Sequence, residues 1–241
     1  MKKLIAFLFI FIIFITGCSN KETEVIEPIP EPVIEEVKPM IAFTFDDGPS
    51  NDTMRLLDAL EEHDSHATFF VLGYRISKFP KTLQRAVELD MEIASHTWNH
   101  RNMRSLNETE IRNTLTRTNN AIEQITGTNP NIYRPPFGMT NPKVRNISED
   151  LGLSIVNWSL DGMDWRYKDA NRVFNIVMNR VKENDIILLH DIHPTTVDAM
   201  EKLIPALIER GFKLVTVSEL LLHLHDELEP GSIYGRVNEP N

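Results

Sequence analysis

Two adjacent carboxylates directly follow an apolar segment near the start of the folded part of the chain. The segment 41–45 predicts a buried strand, and it leads into Asp46, Asp47, Gly48 and Pro49. Acidic side chains at the end of a buried strand are candidates for chemistry, whereas Asp followed by Gly and Pro also suits an ordinary turn. This segment alone leaves a reactive site and a structural turn equally open.

Two histidines four residues apart follow another candidate strand, at 92–95. The side chains of His96 and His100 can reach one metal ion if the segment between them makes a helical turn, because residues i and i+4 lie on one face. A pair of ordinary surface or core histidines is the alternative at this spacing. The chain has one cysteine, Cys18, so histidines and carboxylates would have to hold any metal.

Three further polar clusters follow candidate strands in the second half of the sequence. They lie at 134–138 (RPPFG), 161–165 (DGMDW) and 188–191 (LLHD). Parallel α/β barrels place their active sites just beyond the carboxyl ends of the strands. Because all five clusters occupy that position, we predict that their carboxylate, imidazole, guanidinium and indole groups form one site.

The elements that must position these groups alternate along the chain from Met40 onward. Short apolar runs predict seven strands, at 41–45, 67–71, 92–95, 131–134, 154–158, 185–189 and 213–217. Longer amphipathic segments predict helices at 53–62, 80–89, 108–126, 142–151, 171–181, 197–209 and 219–225. This alternation predicts a parallel α/β sheet or barrel.

Charge narrows the classes of function. The 241 residues carry a formal net charge of -10. A protein that binds nucleic acid through its phosphates needs clustered Lys and Arg, so we exclude that class.

The amino terminus resembles a bacterial lipoprotein signal. Lys2 and Lys3 precede an apolar run at 4–15, which is too short to span a bilayer as a mature helix. Small residues then precede Cys18, so we predict a signal peptide at 1–17 and lipidation of Cys18. An uncleaved anchor helix is the alternative, and both place the rest of the chain outside the cytoplasmic membrane.

The remaining chain divides into three predicted regions. Residues 18–38 are acidic and proline-rich, which predicts an extended tether after the lipidated cysteine. Residues 39–222 form the folded domain. Residues 223–241 form a C-terminal tail, which we expect to be loose from Glu229 because it is rich in Pro, Gly and Asn.

With its five clusters in this order, the sequence resembles the polysaccharide deacetylases of carbohydrate esterase family 4, also called the NodB homology domain. The motifs that carry the resemblance are TFDDGP at 44–49, HTWNH at 96–100, RPPFG at 134–138, DGMDW at 161–165 and LLH at 188–190. The resemblance implies an α/β fold, a distorted (β/α) barrel with about seven parallel strands.

The resemblance also implies a metal centre and a general base. Asp47, His96 and His100 would bind one divalent cation, zinc in the first place and otherwise cobalt, manganese or nickel. Three protein ligands leave positions open for water and substrate, as a catalytic metal site requires. Asp46 would take a proton from the attacking water, and Arg134 would orient Asp46.

A general acid and a substrate pocket are implied in the same way. His190 would protonate the leaving amine, and Asp164 would keep His190 cationic. Many family members carry Tyr where this chain has Phe137, whose backbone N–H would face the oxyanion. Trp165 and Leu188 would surround the acetyl methyl group. The implied substrate-binding residues are Pro136, Phe137, Trp165 and Leu188.

The activity that the resemblance implies is metal-dependent hydrolysis of N-acetyl groups from cell-wall polysaccharide, with release of acetate. Peptidoglycan N-acetylglucosamine is the expected substrate, and the expected location is the extracellular face of the cytoplasmic membrane, held by the lipid anchor. A chitooligosaccharide deacetylase or an acetylxylan esterase is the alternative within the family. A noncatalytic glycan-binding lipoprotein is the alternative of another class. We expect a monomer with no nucleic-acid partner.

Overall fold

The computed structural model of the chain describes residues 38–235. The predictions for the signal peptide, for lipidation of Cys18 and for the tether up to residue 37 lie outside these residues. Between residues 38 and 235, no helix combines the length and the apolar character needed to cross a membrane.

A nine-stranded sheet, in which every pairing is parallel, forms the centre of the described domain. The strand order is β6-β7-β1-β2-β3-β4-β5-β9, and β8 also pairs with β1. Because no pairing joins β6 to β9 within residues 38–235, the sheet curls without closing completely. The predicted distorted barrel of parallel strands is confirmed. The strands are β1 (Met40–Asp46), β2 (Thr68–Val71), β3 (Glu92–Ser95), β4 (Ile132–Tyr133), β5 (Ser154–Val156), β6 (Leu160–Asp161), β7 (Ile186–His190), β8 (Lys213–Leu214) and β9 (Ile233–Tyr234).

Helices follow most of the strands and pack against the sheet. Crossover helices are needed because parallel strands cannot be joined by tight turns. The helices are α1 (Thr53–Glu62), α2 (Gly73–Ile76), α3 (Pro80–Glu88), α4 (Glu108–Thr126), α5 (Pro142–Asp150), α6 (Asp164–Tyr167), α7 (Ala170–Arg180), α8 (Pro194–Glu209) and α9 (Val217–Leu224).

Alternation along β1 decides which of its side chains meet the helices and which face the inside of the curl. Phe43 and Phe45 are fully buried in the large apolar cluster that includes α1 and α8. Ala42 belongs to a second cluster, which α9 helps to close, and Thr44 and Asp46 have the same parity as Ala42. Since successive side chains of a strand point to opposite faces, Asp46 is directed to the inside.

Several boundaries differ from those predicted. Two short strands, β6 and β9, and two one-turn helices, α2 and α6, were not predicted. The last helix begins at Val217 with Thr216 as its N-cap, so the predicted strand at 213–217 stops at Leu214. The expectation of a loose tail from Glu229 is wrong for its first part, because Ile233–Tyr234 pairs with β5.

Candidate active site

Asp46 lies at the carboxyl end of β1 and is 3% exposed. Its Oδ1 accepts a hydrogen bond from Nη1 of Arg134 at 2.7 Å. Burial raises the pKa of Asp46 above the usual value, and the Arg134 charge offsets only part of that effect. The carboxylate is therefore more basic than a free aspartate and is held in one orientation.

Arg134 is fully buried, and its hydrogen bonds fix the guanidinium plane. Its Nε donates to the carbonyl of Val156 at 3.1 Å, and its Nη2 donates to the carbonyl of Asn157 at 2.9 Å. Nη1 also donates to the Thr44 hydroxyl at 2.7 Å. Within residues 38–235, Asp46 is the only carboxylate that forms a salt bridge with Arg134, so each charge depends on the other.

Asp47, His96 and His100 converge beside Asp46. One ligand atom from each lies within 4.8 Å of the other two. Oδ1 of Asp47 is 3.7 Å from Nε2 of His96 and 3.5 Å from Nε2 of His100. The backbone φ angles of Thr97 and His100 are 70° and 59°, so a left-handed turn joins the two histidines. The spacing predicts this contact on condition of a helical turn, and the two imidazoles meet through this left-handed turn instead.

The orientation of these three side chains fits a divalent cation. Nδ1 of His96 lies 2.8 Å from the carbonyl oxygen of Arg134, and a carbonyl only accepts, so Nδ1 carries the proton and Nε2 presents its lone pair. Burial lowers the pKa of His96 to about 3, which keeps the ring neutral. Oδ1 of Asp47 is buried and has no hydrogen-bond partner among residues 38–235. A cation would balance the negative charge of that buried oxygen. Two imidazoles and one carboxylate also form a three-ligand set that leaves coordination positions open.

A second charged pair joins the end of β7 to the start of α6. Nδ1 of His190 donates to Oδ1 of Asp164 at 2.9 Å, and Asp164 is fully buried. Asp164 also accepts the backbone N–H of His190 at 2.7 Å, the hydroxyl of Thr196 at 2.7 Å and the backbone N–H of Trp165 at 2.8 Å. Burial alone would lower the pKa of His190, but the hydrogen bond and charge of Asp164 outweigh it and raise that pKa to about 9. His190 is therefore a cation at neutral pH.

These groups surround one cavity of about 410 Å³. Phe137 and Trp165 form an apolar rim and are 56% and 49% exposed, whereas Leu188 is buried at 4%. A cavity of this size suits a small ligand. The lining residues are Asp46, Asp47, His96, His100, Phe137, Trp158, Asp161, Trp165, Leu188 and His190.

Three of the predicted site residues do not line this cavity. Arg134 and Asp164 lie behind the wall, where each is bonded to a residue that does line it. Pro136 is buried in the turn Pro136–Gly138 that presents Phe137. Pro136, which was predicted to bind substrate, therefore lies behind the rim of the cavity.

Two lining residues, Trp158 and Asp161, were not assigned a role from the sequence. Oδ2 of Asp161 accepts the indole N–H of Trp165 at 3.2 Å, and its Oδ1 accepts the backbone N–H of Met163 at 2.7 Å. The signal for Asp161 was present, because it begins the DGMDW motif. Trp158 follows a strand without any polar pattern that marks it.

A buried carboxylate supports the loop that carries Asp46 and Asp47. A Cβ on Gly48 would lie 2.3 Å from Oδ1 of Asp191, so no larger residue fits there without a shift. The hydroxyl of Ser50 donates to the Asp191 carbonyl at 2.7 Å. Asp191 directly follows His190, the last residue of β7. These contacts therefore join the loop that carries Asp46 and Asp47 to the end of β7.

Comparison with known proteins places this site in a family. The chain matches the family described as Polysaccharide deacetylase over residues 34–156. A peptidoglycan-N-acetylmuramic acid deacetylase of Bacillus subtilis is 36% identical over 198 residues, which are 82% of this chain and 42% of the relative. A peptidoglycan-N-acetylglucosamine deacetylase of Listeria monocytogenes is 36% identical over 193 residues, 80% of this chain and 41% of the relative. The chain spans about two fifths of the length of these two relatives.

Solved structures show the same fold. A family 4 acetyl xylan esterase of Clostridium thermocellum, solved in complex with a cobalt ion, superposes with a TM-score of 0.74 at 33% identity, over 83% of this chain and 99% of the other. The fold and the site are thus those of carbohydrate esterase family 4. The chain belongs to the polysaccharide deacetylase family, and the resemblance predicted from the five motifs is confirmed. This family is metal-dependent, and the Asp47, His96 and His100 cluster is a possible metal site.

Proposed function

We propose that this chain hydrolyses N-acetyl groups of peptidoglycan in a metal-dependent reaction, with N-acetylglucosamine as the target sugar. The observation that carries the proposal is one cavity that joins an open three-ligand cluster to a basic carboxylate and a cationic histidine. The two relatives are equally identical to this chain, and they are named for the same polymer but for different sugars. These relatives support peptidoglycan as the polymer more strongly than they support either sugar as the site of deacetylation.

Asp47, His96 and His100 would hold one divalent cation, zinc first and otherwise cobalt, manganese or nickel. When bound, the cation supplies Lewis acidity, which polarises the acetyl carbonyl and lowers the pKa of the attacking water. The neutral Nε2 of His96 is already presented by the hydrogen bond that fixes its Nδ1 proton.

Asp46 acts as the general base in this proposal. Its raised pKa suits it to remove the proton as water adds to the acetyl carbonyl, and Arg134 keeps the carboxylate in one orientation. The developing oxyanion accepts a hydrogen bond from the backbone N–H of Phe137. No side-chain hydroxyl is needed at that position, so Phe can replace Tyr.

His190 acts as the general acid. The amine of an amide is a poor leaving group, so the nitrogen must gain a proton as the carbon–nitrogen bond breaks. Because Asp164 raises the pKa of His190 to about 9, the imidazolium is available at neutral pH. The products are acetate and a free amine on the glycan.

The apolar residues of the cavity determine how the acetyl group lies. Leu188 and Trp165 enclose the methyl group, Phe137 contacts the sugar, and Pro136 holds the turn that presents Phe137. These contacts recognise the acetyl group more than the polymer that carries it. A chitooligosaccharide deacetylase or an acetylxylan esterase is therefore the alternative.

The proposed location is the extracellular face of the cytoplasmic membrane. A lipid on Cys18 would anchor the chain there, and the acidic, proline-rich residues 18–38 would carry the domain toward the wall. Mass spectrometry of the mature protein and its release by Cys18→Ala test this anchor. An unmodified Cys18 in the mature protein contradicts it.

An acetate-release assay tests the activity. The metal-loaded protein is given peptidoglycan, chitin oligomers and acetylated xylan, and mass analysis identifies the deacetylated sugars. We expect release from peptidoglycan at N-acetylglucosamine, loss of activity with a chelator, and recovery with zinc, cobalt or manganese. Asp46→Asn should reduce kcat by roughly 10²- to 10⁴-fold with little change in glycan affinity. Asp58→Asn on the exposed face of α1 is the matched control.

Each other outcome of the assay contradicts a named part of the proposal. Activity that resists chelation removes the metal, and full activity in Asp46→Asn removes the base. Faster release from xylan or chitin oligomers than from peptidoglycan favours the alternative substrates. Tight glycan binding by the metal-loaded wild type without acetate release indicates a noncatalytic binding protein.

A further inference from the structure

A cationic surface lies beside the candidate site and has no part in the proposed reaction. Residues 165–182 contain five Lys or Arg residues and one acidic residue, in a chain whose net charge is -10. We define the α6–α7 basic surface as the exposed side chains of Arg166, Lys168, Arg172 and Arg180. Its charge is opposite in sign to that of the whole chain.

None of these four cations is neutralised by a carboxylate within residues 38–235, where none of them forms a salt bridge. Other exposed arginines of the same domain are paired, such as Arg55 with Asp198 and Arg112 with Asp150. The single acid of the segment, Asp169, instead caps α7 by accepting the backbone N–H of Arg172 at 2.8 Å. The surface therefore offers several cations to an external anion.

Two of these cations, Arg172 and Arg180, line a groove of about 430 Å³. The guanidinium carbon of Arg172 lies 3.9 Å from the ring centroid of Tyr167, and that of Arg166 lies 5.5 Å from it. A guanidinium stacked on a ring loses less freedom when it binds a planar carboxylate by two parallel hydrogen bonds. The groove is lined by Met163, Tyr167, Arg172, Asn175, Ile176, Asn179 and Arg180, so neutral amides accompany its cations.

The groove and the cavity lie on two sides of one helical turn. Trp165 lines the cavity, whereas Met163 and Tyr167 line the groove, and all three belong to α6 or its N-cap. A helix with its side chains is about 10–12 Å across, so the groove lies roughly that far from the cavity. A flexible substituent on the sugar next to the one in the cavity can span such a distance.

We propose that the α6–α7 basic surface binds the free carboxylates of the peptide stems on the peptidoglycan strand. This inference rests on the proposed function and names the part of the substrate that lies outside the cavity. Neutral chitin and acetylated xylan present no carboxylate to Arg172 and Arg180. The surface selects the peptide-bearing polymer, which residues that contact only the acetyl group cannot do.

A binding experiment with matched ligands tests the surface. The ligands are a disaccharide-peptide fragment of peptidoglycan with free stem carboxylates and the same fragment with those carboxylates amidated. Calorimetry measures both with the metal-loaded protein in an Asp46→Asn background, so that the ligand is not consumed. Arg172→Gln combined with Arg180→Gln is compared with Lys78→Gln combined with Lys81→Gln, which removes the same charge from exposed positions elsewhere.

We expect the Arg172 and Arg180 double variant to bind the carboxylate fragment about tenfold more weakly. Its affinity for the amidated fragment should stay within about twofold, and the difference should shrink in high salt. The Lys78 and Lys81 double variant should behave as its parent does. Thermal unfolding of both double variants should match the parent, because all four positions are exposed.

Several results overturn the inference without touching the proposed function. They are unchanged affinity for both fragments, an equal loss for both, or an equal loss in the Lys78 and Lys81 double variant. A larger dependence on Arg172 and Arg180 for an anionic phosphate polymer than for the peptide fragment also overturns it. The proposed function fails separately, if the wild type binds the carboxylate fragment through these arginines but releases no acetate from peptidoglycan.

Discussion

The two charged halves of the candidate site are built in opposite ways. In the acid half, formed by His190 and Asp164, the buried carboxylate accepts four hydrogen bonds from the chain. In the metal half, formed by Asp47, His96 and His100, Oδ1 of Asp47 is buried without a hydrogen bond and faces two imidazole nitrogens at 3.5 and 3.7 Å.

This difference separates folding from ligand binding. The acid half is satisfied by the polypeptide alone, so it contributes to the stability of the metal-free fold. The metal half contains ligand atoms whose electrostatic needs only a cation meets, so its stability depends on what it binds. A change in the acid half should therefore lower the stability of the metal-free protein and leave metal affinity nearly unchanged. A change in the metal half should weaken metal binding and leave the stability of the metal-free protein nearly unchanged.

The largest effect on turnover is expected for Asp164→Asn. The amide cannot accept all four hydrogen bonds, and the loss of its charge leaves His190 neutral at working pH. We expect kcat to fall roughly 10²- to 10⁴-fold and the metal-free protein to lose about 1–3 kcal/mol of stability. Zinc affinity, measured by calorimetry, should stay within about threefold. A loss of zinc affinity as large as the loss in kcat contradicts the separation of the two halves.

His100→Ala should produce the opposite pattern. Removal of one of three ligands should weaken metal binding by more than about 100-fold, since even the loss of an outer hydrogen-bond partner costs 10- to 100-fold. The melting temperature of the chelated protein should not fall, because His100 is partly exposed and Asp47 gains access to water. His63→Ala, at the C-cap of α1 and outside the cavity, serves as the control. A strongly destabilised chelated variant means that the metal half contributes to folding without its cation.

The pH at which His190 loses its proton should depend on both halves of the site. In the chelated protein its imidazolium should lose its proton near pH 9, measured by NMR, because Asp164 raises the pKa to about that value. The acid is therefore available below pH 9 and lost as pH rises through it. Bound zinc should move the transition to lower pH by its positive charge. Asp164→Asn should also lower the pKa of His190, because it removes the hydrogen bond and charge that most oppose burial. An unchanged titration in Asp164→Asn refutes the assigned partner.

The smallest effect is expected for Thr196→Val, which removes one of the four hydrogen bonds to Asp164. We expect a loss of about 1 kcal/mol in the free energy of unfolding and a decrease in kcat of only a few fold. Thr195→Val is a matched control one residue away, because the Thr195 hydroxyl is buried without a partner among residues 38–235. Denaturant unfolding of both variants measures the difference. Equal losses show that shape, and not the hydrogen bond, is what matters at position 196.

The sequence was most informative where periodicity and chemistry coincide. The helices at 53–62 and 108–126 and the strand at 92–95 are confirmed to the residue. Apolar spacing marks these elements, and the helix at 108–126 is also bounded by the Asn107 capping box and by Gly127. Eight of the predicted site residues line one cavity, because strand ends in a parallel sheet share an edge.

The features that escaped prediction depend on backbone geometry or on very short pairings. The turn between His96 and His100 needs positive φ angles at Thr97 and His100, which no residue type there demands. Strands β6 and β9 contain two residues each and carry no alternating pattern. Trp158 becomes a wall residue only through the curl of the sheet, which is a property of all the strands together.

The last two-residue strand has a practical consequence for anyone who shortens this protein. Ile233 and Tyr234 cover the outer edge of β5, and the Tyr234 hydroxyl accepts the backbone N–H of Glu229. A truncation at residue 228 would remove that cover and leave the amides of β5 free to pair with another molecule. A soluble fragment intended for crystallisation or assay should therefore extend at least to Gly235, or it should be expected to self-associate.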